Sequence, residues 1–220
     1  VMTMFLYLAK KINQSDKLVR NNEFMNKSSM GNFFELYQKN ILILGFGRIG
    51  QAVAKRCKGF DANILVYDPF VSEEIIQNYD YKKIDFNIGI KEADFITVHM
   101  PLSNQSKNLI SKKEFEKMKD NTIIVNTARG GIINEEDLYW ALKNKKIFGA
   151  GTDVFETEPP SPNNPLFNLD NILLSPHNAA LTLECRKRMA VETFENIVFY
   201  LKKHPELNKK NIINKKILNL

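Results

Sequence analysis

The sequence predicts an α/β fold with a doubly wound parallel sheet, and three observations support this. Short apolar runs alternate with helix-like segments along most of the 220 residues. A glycine-rich turn in ILILGFGRIG, residues 41–50, joins one such run to a helix. Polar residues stand where several runs end. Since ligands of such folds bind outside the carboxyl ends of the strands, these positions are the ones to inspect for function.

The first strand, turn and helix carry the strongest functional signal. Ile41 to Leu44 is an apolar run suited to a strand buried on both faces, and QAVAKRCKGF after the turn has helical spacing. The run NILVYD then ends on Asp68, 23 residues after Gly45. A Gly-x-Gly-x-x-Gly motif alone indicates only a tight turn, but this context favours a Rossmann dinucleotide site.

Each part of this motif has a physical role. The first glycine permits the tight turn, the second lets a pyrophosphate approach the backbone, and the third lets the helix pack closely on the sheet. Free N–H groups at the helix start face the phosphates. Asp68 can accept hydrogen bonds from both adenosine ribose hydroxyls, and Pro69 and Phe70 supply no arginine for a 2′-phosphate, so NAD is expected over NADP. The expected cofactor-binding residues of the turn are Gly45, Phe46, Gly47, Arg48, Ile49 and Gly50.

The remaining elements follow in order. The segments SEEIIQNY, SKKEFEKM and NEEDLYWALKNK are predicted helices, the second capped by Ser111 and the third by Asn134. The segments ADFITVHMP, NTIIVNTARGG, IFGAGTDV and NILLS are predicted strands, and TEPPSPNNPLFNLDN is a loop. The opening segment is expected to form one helix to about residue 20, and LTLECRKRMAVETFENIVFYLKKH another near the end.

Composition excludes several classes of protein. Of the net charge of +6, the last twenty residues contribute +5, from six Lys and one Glu with no aromatic residue after Tyr200, so nucleic-acid binding is not expected. Cys57 and Cys185 form no metal or disulfide pattern, which indicates a reducing, cytoplasmic location and no metal site. The apolar opening nonapeptide is too short to span a bilayer, so no membrane association is expected.

Candidates for proton transfer come from three histidines. His204 lies among the lysines of the tail, and His99 and His177 follow predicted strands. Since His177 directly follows a proline between the last strand and a helix, it is the better candidate for the acid/base, although His99 stays open. A carboxylate could orient the imidazole, and both Glu156 and Glu158 lie on the loop after GTDVF.

Arg129 is the candidate for binding a substrate. It lies in NTARGG at a strand end, where a guanidinium can bind a carboxylate and a carbonyl oxygen together. A surface ion pair explains an arginine at this position equally well.

Six motifs together resemble one family. LGFGRIG, VYDPF, HMPL, NTARGG, GAGTDVFETEP and SPHNAA occur in the order and spacing of the D-isomer-specific 2-hydroxyacid dehydrogenases, over residues 1 to about 203. That family includes phosphoglycerate dehydrogenase, D-lactate dehydrogenase and the glyoxylate and hydroxypyruvate reductases. The resemblance implies hydride transfer between NAD(H) and C2 of a D-2-hydroxy or 2-keto acid.

The resemblance also implies roles for single residues. Arg129 binds and polarises the substrate, His177 is the acid/base, and Glu158 is its carboxylate partner. Asp153 contacts the nicotinamide amide. The other residues on the cofactor side are His99, Pro101, Thr127 and Ala128, with Arg129 and His177 also near the cofactor.

The chain departs from the family in one respect. The family's substrate domain comes mostly from about the first hundred residues, and that part is absent. We therefore expect an NAD-binding domain at residues 1–180, opening with a long helix at 1–27, and a return helix with a basic tail at 181–220. Both flanking helices are expected to expose apolar surface that belongs against the missing domain. This surface is centred on Met4, Phe5 and Leu8 in the first helix and on Phe194, Val198 and Leu201 in the second.

Further expectations concern the full-length protein, the 220 residues alone and an alternative function. The full-length protein is expected to be a homodimer, acting on D-3-phosphoglycerate or on glyoxylate and hydroxypyruvate, towards the first of which YDPFVSEE leans slightly. The 220 residues alone are expected to bind NADH weakly without turnover. An NAD-binding regulator resembling a corepressor is the alternative function.

Overall fold

The computed structural model of the chain describes residues 1–202 and 212, so His204 and most of the basic tail lie outside the described residues. The chain divides into two compact units, residues 1–177 and 178–220. The first unit contains a parallel sheet whose seven strands have the order β3-β2-β1-β4-β5-β6-β7. In chain order the strands are β1 (Asn40–Leu44), β2 (Asn63–Tyr67), β3 (Lys82–Lys83), β4 (Phe95–Val98), β5 (Ile123–Asn126), β6 (Gly149–Thr152) and β7 (Ile172–Leu174).

The strand order confirms the predicted doubly wound sheet. The chain moves outward from β1 through β2 to β3, then returns to β4 beside β1 and continues to the other edge. The switch point therefore lies between β1 and β4, whose paired carboxyl ends are Leu44 and Val98. Ligands of doubly wound sheets bind at this crevice.

Helices cover both faces of the sheet. In the first unit they are α1 (Met2–Ala9), α2 (Ile12–Arg20), a 3₁₀ helix (Phe24–Met30), α3 (Arg48–Lys58), α4 (Glu73–Gln77), α5 (Phe86–Glu92), α6 (Lys112–Phe115), α7 (Glu135–Lys143) and a second 3₁₀ helix (Pro165–Asn168). The second unit contains α8 (Leu183–Leu201), on which Phe194 and Leu201 are exposed as predicted and Val198 is half-buried.

Local capping explains where several helices begin. Ser111 and Glu114 form a capping box, in which the Ser111 N–H donates to Glu114 Oε2 at 3.1 Å. The Asn134 side chain accepts from the Asp137 N–H at 2.9 Å. Both caps were predicted. The strand β3 and the helix α5 were not, although Asp85 caps α5 by accepting from two backbone N–H groups.

The core has two layers because side chains of the central strand alternate between the faces. Leu42 and Leu44 pack towards α5, α6 and α7, whereas Ile41 and Ile43 pack towards α1 and α3. All four side chains are fully buried. This agrees with the prediction of a strand buried on both faces.

The N-terminal segment differs from the prediction in two ways. The expected single long helix is two helices, divided at Lys11, whose φ of 47° lies in the left-handed region. Met4, Phe5 and Leu8 are not exposed for another domain, because α1 packs on β5 and β6 of its own sheet. The Phe5 ring meets the Phe95 ring edge-on, with centroids 5.0 Å apart.

Removing the Phe5 ring tests whether α1 is part of this core. We expect Phe5→Ala to lower the free energy of unfolding by about 3–5 kcal/mol, because the ring is fully buried and its loss leaves a cavity. Urea denaturation followed by circular dichroism measures the change.

Phe24 supplies the matched control. Its side chain is 61% exposed, so Phe24→Ala should change the unfolding free energy by only about 0.5 kcal/mol or less. Equal effects of the two substitutions would contradict the packing of α1 on the sheet.

Candidate functional site

The glycine-rich turn connects β1 to α3 through two close backbone approaches. Gly45 has a φ of 94°, and a Cβ there would lie 2.8 Å from the carbonyl carbon of His99. A Cβ on Gly50 would lie 2.1 Å from the Gly45 carbonyl oxygen. Only glycine fits at either position, so the turn, the helix and the end of β4 are locked together.

The middle of the turn suits an anionic ligand. A Cβ on Gly47 would meet no atom within 4 Å, so the space beside this backbone is open. Gly47 is also the N-cap of α3 and supplies no side chain to accept from the first N–H groups of the helix. Such a helix start is a ready site for a phosphate. The residues of the turn therefore fit a dinucleotide.

Asp68 lies beside this turn, directly after β2. Its Oδ2 accepts from the Phe46 N–H at 2.7 Å and its Oδ1 from the Phe70 N–H at 2.8 Å. A carboxylate has about four lone-pair sites, so each oxygen can still accept a hydroxyl. The arrangement allows the predicted ribose contacts and adds a link to the turn that the sequence did not predict.

His99 follows β4 and lies next to the turn, with Pro101 two residues further. Its Nε2 lies 2.9 Å from Thr97 Oγ1, and its backbone N–H donates to the Leu44 carbonyl. Burial lowers the pKa of His99 to about 4. The imidazole is therefore neutral at pH 7 and poorly matched to proton transfer there.

Two constraints hold the loop that carries Arg129. The buried Asn126 at the end of β5 accepts from the Ala128 N–H at 3.0 Å and donates to the Arg129 carbonyl at 2.9 Å. A Cβ on Gly130 would lie 1.8 Å from the Phe155 carbonyl oxygen, so the loop touches the backbone after β6. These contacts fix the backbone on both sides of Arg129.

The Arg129 side chain is exposed. Its Nη1 donates to the Ala128 carbonyl at 2.6 Å. Within the described part of the chain it forms no ion pair with a carboxylate, so the geometry does not support the alternative of a surface ion pair. The guanidinium keeps donors for a ligand that bears a carboxylate.

His177 and Glu158 form the pair that could move a proton. His177 Nδ1 lies 2.7 Å from Glu158 Oε2, and Glu158 Oε1 accepts from the Phe155 N–H at 3.1 Å. The His177 hydrogen bond, followed by that of Phe155, lowers the pKa of Glu158. Glu158 is thus ionised at neutral pH and can stabilise a protonated imidazole, while His177 Nε2 stays available for a ligand.

Glu156, the other candidate on this loop, has a different environment. Its Oε1 accepts from the Glu135 N–H at 2.8 Å, and its own N–H donates to Glu135 Oε1. Asn164 donates to the other oxygen of Glu135 at 3.0 Å. Glu156 therefore ties the loop to the start of α7, and Glu158 is the one of the two that contacts His177.

Other predicted residues lie along the same edge. Thr127 and Ala128 are half-buried between β5 and Arg129. Asp153 follows β6 and is 1% exposed, and one of its oxygens accepts from the Ser175 hydroxyl. Contact of Asp153 with a nicotinamide amide stays a prediction. Beside the His177–Glu158 pair lies a cavity of about 370 Å³, walled largely by Phe155, Phe167, Leu174 and the prolines 159, 160 and 176.

Sequence reasoning missed the residues that brace these loops. No role was predicted from the sequence for Asn126, Gly130 or Ser175. An asparagine before Ala-Arg-Gly-Gly is a usable signal, because asparagine side chains bond to backbone groups two residues on. The contacts of Gly130 and Ser175 are with distant segments and leave no such local signal.

Two further features are absent from the part of the chain that the structure describes. Among the described residues, no three His, Cys, Asp or Glu side chains come together as metal ligands do. None of the helices described has the length and apolar character needed to cross a bilayer.

The lowered pKa of His99 predicts a pH dependence of stability. Between about pH 4 and 6.5 the unfolded chain binds a proton at this residue and the folded chain does not, so stability rises with pH over that window. We expect His99→Gln to remove about 1 kcal/mol of the stability difference between pH 5 and 7.5, allowing for partial exposure. Urea denaturation at both pH values measures this, and identical pH dependence in the two proteins would contradict it.

Comparison with known proteins agrees with this geometry. Residues 2–179 match the family described as D-isomer specific 2-hydroxyacid dehydrogenase, NAD binding domain. The chain is 44% identical over 211 residues to the D-3-phosphoglycerate dehydrogenase of Archaeoglobus fulgidus, covering 96% of this chain and 40% of that protein. It is 39% identical over 225 residues to the glyoxylate reductase of Thermococcus litoralis, covering 98% of this chain and 65% of that protein.

A solved structure is similar over most of the chain. The D-lactate dehydrogenase of Aquifex aeolicus, solved with NAD and lactic acid, aligns with a TM-score of 0.86 at 27% identity, covering 96% of this chain and 68% of that one. The chain spans only part of the length of the curated relatives described above. The family match and the fold agree, and the chain belongs to the D-isomer specific 2-hydroxyacid dehydrogenases, of which it contains the NAD-binding domain.

Proposed function

We propose that the chain works in a protein that transfers a hydride between NAD(H) and C2 of a D-2-hydroxy or 2-keto acid. The observation that carries the proposal is the 2.7 Å contact between His177 Nδ1 and Glu158 Oε2, at the sheet edge that also carries Arg129 and the glycine turn. A cofactor-binding module with no chemistry has no need of an oriented imidazole and an available guanidinium at the same edge of the sheet.

Arg129 binds the substrate carboxylate and polarises the carbonyl at C2. Its donors are exposed and its backbone is fixed on both sides, by Asn126 and by the close approach at Gly130. A guanidinium presents parallel donors that match a carboxylate. Fixing the loop limits the entropy lost when the substrate is bound.

His177 gives a proton to the C2 oxygen during reduction and takes it back during oxidation. Glu158 accepts from Nδ1, so Nε2 is the nitrogen that exchanges the proton with the substrate. The ionised Glu158 stabilises the imidazolium formed in oxidation. When bound, the nicotinamide supplies or accepts the hydride.

The cofactor would be held from both sides of the switch point. The turn at residues 45–50 takes the pyrophosphate and Asp68 the adenosine ribose. The proposed residues nearer the nicotinamide are His99, Pro101, Thr127, Ala128 and Asp153. The cradle at Gly47 is open backbone, and the Asp68 carboxylate is an acceptor for the ribose hydroxyls, a combination that suits NAD.

The names of the relatives indicate which substrates to test first. Phosphoglycerate, glyoxylate and hydroxypyruvate are the substrates to test first, because similar proteins are named for reactions on them. We propose a homodimeric full-length protein in the cytoplasm. A panel assay with these three acids, run beside analytical ultracentrifugation, tests substrate and oligomeric state together. NADH binding without turnover of any member would favour the regulatory alternative.

Substitutions of His177 and Arg129 test the mechanism in the full-length protein. We expect His177→Gln to lower kcat by about 10²–10⁴-fold, because the proton donor is lost. Arg129→Met should lower kcat/KM by about 10²–10³-fold through lost polarisation of the carbonyl. Steady-state kinetics measure both, and NADH affinity should change little. A larger loss in His99→Gln than in His177→Gln would make His99 the base instead.

Two matched controls and one companion variant sharpen this test. Arg56 also donates to a nearby backbone carbonyl but lies on α3, so Arg56→Met should retain full activity. Glu158→Gln removes the charge beside His177, so the limb of the pH–rate profile that reports the imidazolium should move to lower pH. Glu156→Gln, on the same loop without contact to His177, should leave that limb in place.

Cofactor preference tests the role of Asp68. We expect the chain to bind NADH about tenfold or more tightly than NADPH, because a 2′-phosphate would face the Asp68 carboxylate. Asp68→Asn should narrow the difference, and Asp16→Asn on α2 should not. Fluorescence titration with both cofactors measures the affinities, and equal or tighter binding of NADPH by the wild-type chain would refute the role.

A further inference from the structure

Phe46 lies between the first two glycines of the turn. Its backbone N–H, its carbonyl and its ring each contact another residue. Its N–H donates to Asp68 Oδ2 at 2.7 Å, and its carbonyl accepts from Gln51 Nε2 at 3.0 Å. Its ring is 1% exposed and meets Tyr79 and Tyr81 edge-on, with centroids 5.5 and 6.0 Å away. The turn is therefore fixed before any ligand binds.

Gln51 is itself held. It lies in the first turn of α3, and its Oε1 accepts from the Tyr79 hydroxyl at 3.2 Å. The Tyr79 ring stacks on Tyr81 with an interplanar angle of 17°. Both ends of the Gln51 amide are thus engaged, one by a donor and one by an acceptor, which fixes the orientation of the amide.

The carbonyl that Gln51 holds belongs to the peptide between Phe46 and Gly47. In a trans peptide the N–H points opposite to the C=O, so fixing the Phe46 carbonyl also fixes the direction of the Gly47 N–H. Gly47 has no Cβ and an open environment, so this peptide would otherwise be free to rotate. The glycine that a phosphate needs for close approach therefore depends on Gln51 for the direction of its N–H.

We propose that Gln51, oriented by Tyr79, is a positioning residue for the cofactor pyrophosphate. It fixes the Phe46–Gly47 peptide in the orientation that the phosphates meet, so binding does not have to order that peptide. The inference rests on NAD binding at this turn. It goes beyond that binding because it assigns part of the affinity for the cofactor to Gln51 and Tyr79, which lie outside the glycine motif. Tyr79 acts through Gln51.

Calorimetric titration of the chain with NADH tests this. Gln51→Met keeps the length of the side chain and removes both hydrogen bonds, and we expect it to raise the Kd about 3- to 10-fold, the effect of one lost hydrogen bond. Tyr79→Phe keeps the ring contacts and should raise the Kd less. The double variant should be no weaker than Gln51→Met, because the Tyr79 hydroxyl acts on the peptide only through Gln51 and the phenylalanine keeps the ring contact with Phe46.

Two controls separate positioning from a general loss of structure. Gln77 on α4 donates to Glu73 at 3.0 Å away from the turn, so Gln77→Met should leave the Kd unchanged. Adenosine lacks phosphates, so its affinity, measured by ligand-observed NMR, should be the same in Gln51→Met and in the wild type, whereas that for ADP-ribose should fall with that for NADH.

Each outcome decides the proposal. Unchanged NADH affinity in Gln51→Met, or equal losses for adenosine and ADP-ribose, would overturn it while leaving NAD binding intact. A wild-type chain that did not bind NADH would overturn the cofactor site as well. If Gln51→Met does not fold, Tyr79→Phe decides the question, since an unchanged NADH Kd in that variant would overturn the role of the Gln51–Tyr79 pair.

Discussion

The close approach of Gly50 to the Gly45 carbonyl is the constraint on which the rest of the site depends. A single methyl group at Gly50 would lie 2.1 Å from that oxygen, and one at Gly45 would collide with the backbone of His99. Because both contacts are made, α3 starts directly above the switch point between β1 and β4. The helix start, Asp68 after β2 and the end of β4 then share one edge, which makes the crevice a dinucleotide site.

A second contact of the same kind organises the opposite side of the crevice. Gly130 allows the loop after β5 to touch the backbone after β6, and the Glu135–Glu156 pair ties that backbone to α7. Glu158 follows on the same loop, within hydrogen-bond distance of His177 after β7. The loops that follow β5, β6 and β7 are thereby held at fixed positions, with few contacts among charged side chains. The precision of the site comes from backbone packing, as it does at the glycine turn.

The sequence predicted the features that have local causes. Apolar runs gave the strands, Ser111 and Asn134 marked helix starts, and the spacing from Gly45 to Asp68 identified the cofactor half. Features with distant causes were missed or wrong. The break at Lys11 needs a left-handed lysine, which has no sequence signature, and the burial of Met4 and Phe5 depends on where α1 lies relative to β6. Position on the loop likewise did not distinguish Glu158 from Glu156: the family resemblance pointed to Glu158, and in the structure only Glu158 of the two contacts His177.

The position of Asp68 limits how this chain could change its cofactor during evolution. Its carboxylate accepts from the Phe46 N–H inside the turn, besides standing where a ribose would bind. A small uncharged residue at position 68 would remove the repulsion of a 2′-phosphate, but it would also leave the Phe46 N–H without its acceptor. A change of preference from NAD to NADP therefore requires at least two substitutions. One must supply a new acceptor for the Phe46 N–H, and the other a positively charged side chain for the 2′-phosphate. Asp68 therefore has a structural role in the turn in addition to its proposed role in binding the ribose.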